Sequence, residues 1–391
     1  MNFVFLSPHF PPNYYQFCVH LRALGANVLG ISDEPYDLLR PELKDALTEY
    51  YWVPNLHNYD DLVRGFGYFT HHYGKLDGLD SHSEYWMETE ARLRTDFNIQ
   101  GLSEGDLPAI KRKSLMKRMY KKAGVESPRG EVVKSAEQAR KFAREVGFPL
   151  IAKPDIGVGA AKTYRFDNME QLEAFLTPQL PVDYFLEEFI NGKIQTYDGL
   201  TNAEGDVVFS SSLEYSQGIM ETVNEDSDIY YYTLREIPED LEHAGRSVVQ
   251  AYKIRKRFFH FEFFRTQDGK LLGLEVNMRP PGGLTTDMFN YANDINIYYE
   301  WANIILYNRF TANSPRPYHT AYIGRKWNLS YLHSHDEILR KFPQIIVHHE
   351  AISGVFSQAL GNYGYVARHP DLAELVRAAN YIQEKKVAHE R

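Results

Sequence analysis

Apolar and polar positions change period repeatedly along the chain. Phe3 to Leu6 is a short apolar run that enters Ser7-Pro8-His9-Phe10-Pro11-Pro12, and Phe17, Leu21 and Leu24 then recur at helical spacing up to Gly25. Asn27 to Ile31 reads as a second strand, so the chain opens on a strand, helix, strand unit. Tyr59 to Leu79 and Glu84 to Leu93 extend that layer to about Gly101, where Glu104-Gly105-Asp106 and Pro108 mark a boundary. The spacing next predicts a helix over 114–123, with Leu115, Met119 and Ala123 on one side and Gly124 as its stop. Ser135 with Gln138 is a capping-box pair, followed by a face of Ala139, Phe142, Ala143 and Val146 and a strand at Leu150 to Lys153.

From Tyr184 the pattern turns to strands: 184–190, 194–200, 207–212, 258–264 and 271–276. One helix is expected over 291–306, and Ser314-Pro315-Arg316-Pro317 reads as the exit to a smaller unit. That unit ends in a helix from Asp371 to about Ile382, with Leu372, Leu375, Val376 and Ala379 on one face. The expected fold is therefore α/β followed by α+β. Its units are 1–105, 106–310 in two lobes (about 106–190 and 191–310), and 311–391.

Composition narrows the function. With 43% hydrophobic and 24% charged residues the 391-residue chain is globular in type, and a net charge of −9 argues against nucleic acid or an anionic membrane as main partner. Cys18 is the sole cysteine, which excludes an internal disulfide and a Cys-based zinc site. The N-terminus MNFVFLSPHF lacks the charged start and long apolar run of a signal peptide, so a cytoplasmic protein is expected. The first strand–helix turn carries prolines where G-x-G-x-x-G would be needed, so the layer is Rossmann-like without NAD.

The strongest chemistry lies in 258–277. Asp268-Gly269 predicts a two-residue type I′ hairpin, and that turn sets Glu262 opposite Glu275 on one face, with Asn277 two residues on. Phe261, Phe263, Leu274 and Val276 would fill the other face. Opposed like charges destabilise a sheet, and a cation between them resolves the conflict; two carboxylates and an amide suit magnesium or manganese. The plain alternative is a solvent-facing pair that repels weakly across water. Asn277-Met278-Arg279-Pro280 adds a guanidinium beside that site, the arrangement phosphoryl transfer uses.

A second constellation is Lys153-Pro154-Asp155-Ile156-Gly157-Val158-Gly159, a lysine at a strand end followed by glycines that let backbone N–H groups face a phosphate. The G-x-x-x-x-G-K-[ST] spacing of a P-loop is absent. The run Lys111-Arg112-Lys113 with Lys117, Lys121 and Lys122 reads as the solvated face of a helix, and Lys253 to Arg257 as a solvated helix end. His71-His72, His348-His349 and His333 with His335 have no companion ligands at metal spacing and are expected to be structural or to lie on the surface. Arg325-Lys326, and Ser83 with Glu84 at a strand end, are weaker candidates for substrate contact.

Together these motifs resemble the ATP-grasp superfamily, specifically its carboxylate-amine ligase branch, the one that includes L-amino acid ligases. Arg112-Lys113-Ser114-Leu115-Met116-Lys117 is similar to the family's D-K-x-x-M-K, with Arg112 in place of Asp. The resemblance makes Lys113 and Lys153 nucleotide lysines and Gly157 and Gly159 part of the phosphate loop, where Ala160 and Lys162 depart from G-x-G-S-x-G. It implies that Glu187 takes the exocyclic amine of adenine and that the backbone of Glu188 and Ile190 meets the ring edge. It further implies Glu262, Glu275 and Asn277 as ligands of Mg2+ or Mn2+, and Arg279 as the catalytic cation. The implied architecture is a Rossmann-like pre-ATP-grasp domain, a two-lobed ATP-grasp fold and a small C-terminal unit. The implied reaction joins a carboxylate to an amine through an acyl phosphate, releasing ADP and phosphate. The alternatives are a bicarbonate-phosphorylating enzyme of the carbamoyl phosphate synthetase kind, and a nucleotide-binding regulatory protein without turnover. Expected partners are small-molecule carboxylates and amines, with a homodimer as the assembly to consider.

Overall fold

The computed structural model describes residues 1–157, 163–176, 183–216, 218 and 226–386. Strands β1 (Asn2–Leu6), β2 (Asn27–Ser32), β3 (Glu49–Trp52) and β4 (Gly78–Asp80) form a parallel sheet in the order β3-β2-β1-β4. Val4, Leu6, Leu29, Ile31, Phe66, Phe69 and Leu79 form a core against the helix Tyr59–Tyr73. The other face is covered by the helix Tyr15–Ala23, whose Phe17 lies 5.0 Å from Trp301 of the helix Ile297–Tyr307. The N-terminal layer thus shares a core with the end of the second lobe.

The first lobe is a four-stranded antiparallel sheet, β5-β8-β6-β7, built from β5 (Gly130–Val133), β6 (Leu150–Pro154), β7 (Tyr164–Phe166) and β8 (Tyr184–Glu188). Leu150, Ala152, Tyr184 and Leu186 face the helices Ala136–Val146 and Met169–Leu176. Side-chain alternation along β6 and β8 therefore turns Lys153 and Glu187 to the opposite face, where both are buried. Ser135 caps its helix as expected, accepting from Gln138 N at 3.2 Å, but the Gln138 side chain returns to Lys134 N rather than closing the box on Ser135.

Among the described residues every strand from Gly192 onward joins one nine-stranded sheet: β9 (Gly192–Thr201), β10 (Val207–Ser211), β11 (Leu213–Tyr215), β12 (Tyr230–Thr233), β13 (Phe258–Thr266), β14 (Leu271–Asn277), β15 (His319–Arg325), β16 (Ile346–Ala351) and β17 (Tyr363–His369). The order is β14-β13-β9-β11-β12-β15-β17-β16, with β10 also paired to β9. The C-terminal strands therefore continue the second lobe's sheet through the β12–β15 pair.

Four expectations are corrected. The single helix over 291–306 is two helices, Thr285–Asn293 and Ile297–Tyr307, separated at Asp294, which adopts the left-handed conformation at φ 52°. The helix Lys113–Lys122 buries Met116 and Tyr120 rather than Leu115, Met119 and Ala123. Lys117 is not solvated: its ammonium is enclosed against Glu187. Arg257 is not a solvated helix end either; it is buried and pairs with Asp80 at 3.0 Å while donating to the Met278 carbonyl at 2.7 Å. Among the described residues no helix is long and apolar enough to cross a membrane.

Candidate nucleotide and metal site

Glu262 and Glu275 do face one another, and Asn277 pairs with His260 one step along the same face. The turn that produces this is not the expected I′ turn. Thr266 N donates to Lys270 O at 3.0 Å across a three-residue loop in which Gly269 alone takes positive φ, 86°. That loop shifts the pairing, so Arg265 meets Leu271 and Phe263 meets Gly273. A bulge that leaves Leu274 unpaired then restores the Glu262–Glu275 register.

Tyr120 locks this bulged stretch. Its hydroxyl donates to the Glu275 carbonyl at 2.8 Å and lies 3.3 Å from the Glu262 carbonyl, so one side chain fixes both carboxylate-bearing residues. Gly273 makes room for it, since a Cβ there would lie 2.5 Å from the Tyr120 ring. Gly273→Ala is expected to cost about 1–3 kcal/mol by overpacking and to loosen the carboxylate pair. Urea unfolding, with metal binding measured on the same protein, checks both effects.

The two carboxyl groups differ in their surroundings. Burial raises Glu262, but the hydrogen bond from His260 and the charges of His260, Arg279 and Lys153 prevail and hold its carboxyl below the ordinary range. Burial and the charges of Glu262 and Glu84 push Glu275 up, against the pull of Lys113 and Lys153. The Glu275 carboxyl accepts no hydrogen bond from the described residues. A half-buried carboxylate with no protein donor, set against a second one and an amide oxygen, is a donor set that a hard cation completes. Among the described residues no three His, Cys, Asp or Glu side chains come together in a group that could hold a metal ion.

Arg279 stands over this pair. Its Nη2 donates to Asn277 Oδ1 at 3.3 Å and its Nε to Glu84 Oε2 at 3.4 Å. Glu84 is therefore brought to the site from the N-terminal layer, as its place just past the end of β4 suggests. Arg325 is not: it donates to the carbonyls of Ile382 and His333 at 2.6 and 2.9 Å and holds the last helix instead.

The lysines arrive from the first lobe. Lys113 N donates to Asp155 O at 2.9 Å and its Nζ to Gly157 O at 3.0 Å. Asp155 also accepts from Ser114 N at 2.9 Å and pairs with Arg112 at 3.2 Å, so this buried carboxylate fastens the start of the helix Lys113–Lys122 to the loop after β6. Sequence reasoning passed over Asp155, although its place two residues after Lys153 was visible. Gly159 lies outside the described residues.

Glu187 sits between Lys153, which bonds Oε1, and Lys117, 3.0 Å from Oε2. Burial alone would raise its carboxyl; the two ammonium groups overcome that and hold it down at about 2. The expected contact to an adenine amine would have to share an oxygen already held by a lysine. The Glu188 N–H is committed to Arg129 O at 3.0 Å, while the Ile190 backbone has no hydrogen-bond partner among the described residues. Lys193 and Gln195 both bind Glu214, at 2.7 and 2.9 Å.

The lining combines lysines from one lobe, opposed carboxylates from the other and a guanidinium at the strand end. Residues 146–287 match the family model described as ATP-grasp domain. The L-arginine-specific L-amino acid ligase of Bacillus subtilis is 24% identical over 60% of this chain and 59% of its own length. The carbamoyl phosphate synthase large chain of Pasteurella multocida is 23% identical over 53% of this chain, and the match spans only 20% of that relative. The L-amino acid ligase of Bacillus licheniformis has a similar structure at TM-score 0.73, with 16% identity and 97% and 96% of the two chains covered. N5-carboxyaminoimidazole ribonucleotide synthetase from Thermotoga maritima follows the same fold at TM-score 0.68 and 16% identity, again covering 97% and 96%.

Proposed function

We propose that this chain, which carries an ATP-grasp domain at residues 146–287, is an ATP-dependent ligase that joins a small-molecule carboxylate to an amine, releasing ADP and phosphate. The observation that carries the reading is the opposed Glu262–Glu275 pair, with Asn277 and Arg279 on one wall and Lys113 and Lys153 on the other. The substrate carboxylate attacks the γ-phosphorus of ATP; its new O–P bond forms as the bond to the β–γ bridging oxygen breaks, leaving an acyl phosphate and ADP. The amine then adds to the acyl carbon, loses a proton and expels phosphate.

Within this scheme Lys153 supplies positive charge to the phosphates from a position fixed by Glu187, and Lys113 does so from the start of its helix. Arg279 faces the transferring group and balances the charge that develops on it. Glu262, Glu275 and Asn277 would hold magnesium or manganese, which when bound neutralises phosphate oxygens as a Lewis acid. Tyr120 and the Asp80–Arg257–Met278 chain hold the backbone on which these groups stand. The names of the two amino acid ligases among the relatives support an amino acid as one of the joined molecules.

The test is a coupled ADP-release screen of paired carboxylates, bicarbonate included, and amines. ADP formation requiring Mg2+, an acid and an amine is expected. Turnover with bicarbonate alone would transfer the assignment to carboxyphosphate chemistry. Nucleotide binding with no ADP from any pair would make the chain a nucleotide-binding regulator.

A further inference from the structure

Strands β9 and β13 carry a second chain of buried polar groups beside the carboxylate pair. Their register sets Asp198 opposite His260 and Thr196 opposite Glu262, so all four side chains share the cleft face. Leu213 donates its N–H to Thr196 Oγ1 at 2.9 Å, and the Thr196 hydroxyl donates to Asp198 Oδ2 at 2.5 Å. Asp198 Oδ1 lies 2.5 Å from His260 Nδ1, and His260 Nε2 lies 3.2 Å from Glu262 Oε1. Asp198 is fully buried and His260 is 4% exposed.

An enclosed run of this kind is a costly way to fill two strands, because apolar side chains of the same volume would be equally or more stable. Its place suggests what it does. The charges of Lys153 and Arg279 both reach Glu262. A free Glu262 carboxylate would turn to one of these cations and surrender its oxygens to an ion pair.

We infer that His260, oriented by Asp198, is a positioning residue for Glu262: it donates to Oε1, keeps the carboxylate from Lys153 and Arg279, and leaves Oε2 as the oxygen offered to the cation. Neither His260 nor Asp198 touches the metal, yet both set its affinity. The inference rests on the metal reading of Glu262, Glu275 and Asn277 proposed above.

The probe is Mn2+ with ADP, read by the loss of the free-Mn2+ electron paramagnetic resonance signal, alongside calorimetric binding of ADP in EDTA. His260→Ala is expected to weaken Mn2+ binding by about 10- to 100-fold, and Asp198→Asn to weaken it in the same direction. His260→Gln, whose amide can still donate to Oε1, recovers most of the affinity. Metal-free ADP binding stays within about 2-fold of wild type throughout, since only the carboxylate's aim has changed. Wild-type Mn2+ affinity in His260→Ala overturns the inference, as does an equal loss of metal-free ADP binding or a His260→Gln no better than the alanine variant. If His260→Ala does not fold, Asp198→Asn and His260→Gln carry the same comparison. Failure of the unmodified protein to bind Mn2+ with ADP is a different result, because it removes the metal site itself.

Discussion

Glu275→Gln is expected to abolish metal-dependent ADP release while leaving the unliganded protein as stable as before, or more so. The two effects separate because of how the residue is placed. Glu275 is held opposite Glu262 in register, and burial together with the neighbouring carboxylates pushes its carboxyl upward. Glutamine has the same shape and removes one of two opposed charges, a relief of roughly 0.2–1 kcal/mol in a strand pair. The backbone clamp survives, since Tyr120 bonds the carbonyl of Glu275 and not its side chain. What disappears is one anionic ligand of a hard cation, and transition-state stabilisation of several kcal/mol with it. A loss on the order of 10³-fold or more in turnover follows. Thermal melting without nucleotide and ADP release with Mg2+, measured on one preparation, check the pair of outcomes. Unchanged turnover would show that the opposed glutamates hold no metal, and a large drop in stability would show that they are a structural pair.

That carboxylate pair shows how a sequence can point to the right pairing through the wrong geometry. Asp268-Gly269 predicts a two-residue turn, and the pairing counted from it brings Glu262 to Glu275. The chain instead builds a three-residue loop closed by Thr266 and Lys270, and then inserts Leu274 as a bulge, so that two displacements cancel. The bulge was invisible because it is set by a tertiary contact: Gly273 is pressed against the ring of Tyr120, about 150 residues away in sequence but packed directly on the hairpin. The same distance problem hid Lys117 and Arg257. Both stand in basic runs on helices or helix ends, where solvent is the usual surrounding for a charge. Their partners, Glu187 and Asp80, come from strands that only the assembled lobes bring near. The helical period of 113–122 was legible, but apolar residues fall on two adjacent stripes there. The stripe of Met116 and Tyr120 wins because it covers the hairpin. The strands β6 and β8 were legible as short apolar runs, and the up-down alternation of side chains along any strand is what turns Lys153 and Glu187 together into the cleft.

Glu187→Ala should be the most destabilising single change in the nucleotide wall, at about 3–5 kcal/mol. The carboxylate is the shared counter-ion of Lys153 and Lys117, and its removal strands positive charge in a closed space. Burial already lowers the Lys117 pKa, and Glu187 is the main influence opposing that. Without Glu187 the ammonium is driven to shed its proton. The pH dependence distinguishes this from a packing defect. In the unmodified protein Glu187 is held at about 2 against an ordinary 4.5, so the folded state binds the proton more weakly than the unfolded chain. Its contribution is fully present above about pH 4.5 and is lost as pH falls toward 2, an amount on the order of 3 kcal/mol. Glu187→Ala lacks that acid limb. The alkaline limb that the lowered Lys117 already gives the unmodified protein deepens instead: a lysine whose folded pKa lies further below its unfolded value destabilises the fold more at neutral pH, and the protein recovers as rising pH removes the charge. Replacing Lys117 by methionine in the same background removes one stranded ammonium and is expected to restore a large part of the loss. Chemical denaturation of the three proteins across pH 3 to about 9.5 measures each limb. A stability curve for Glu187→Ala parallel to that of the unmodified protein would mean that Glu187 fills space and does not hold the lysines. In that event the position of Lys153 in the cleft, and with it the phosphate-binding wall, would need another anchor.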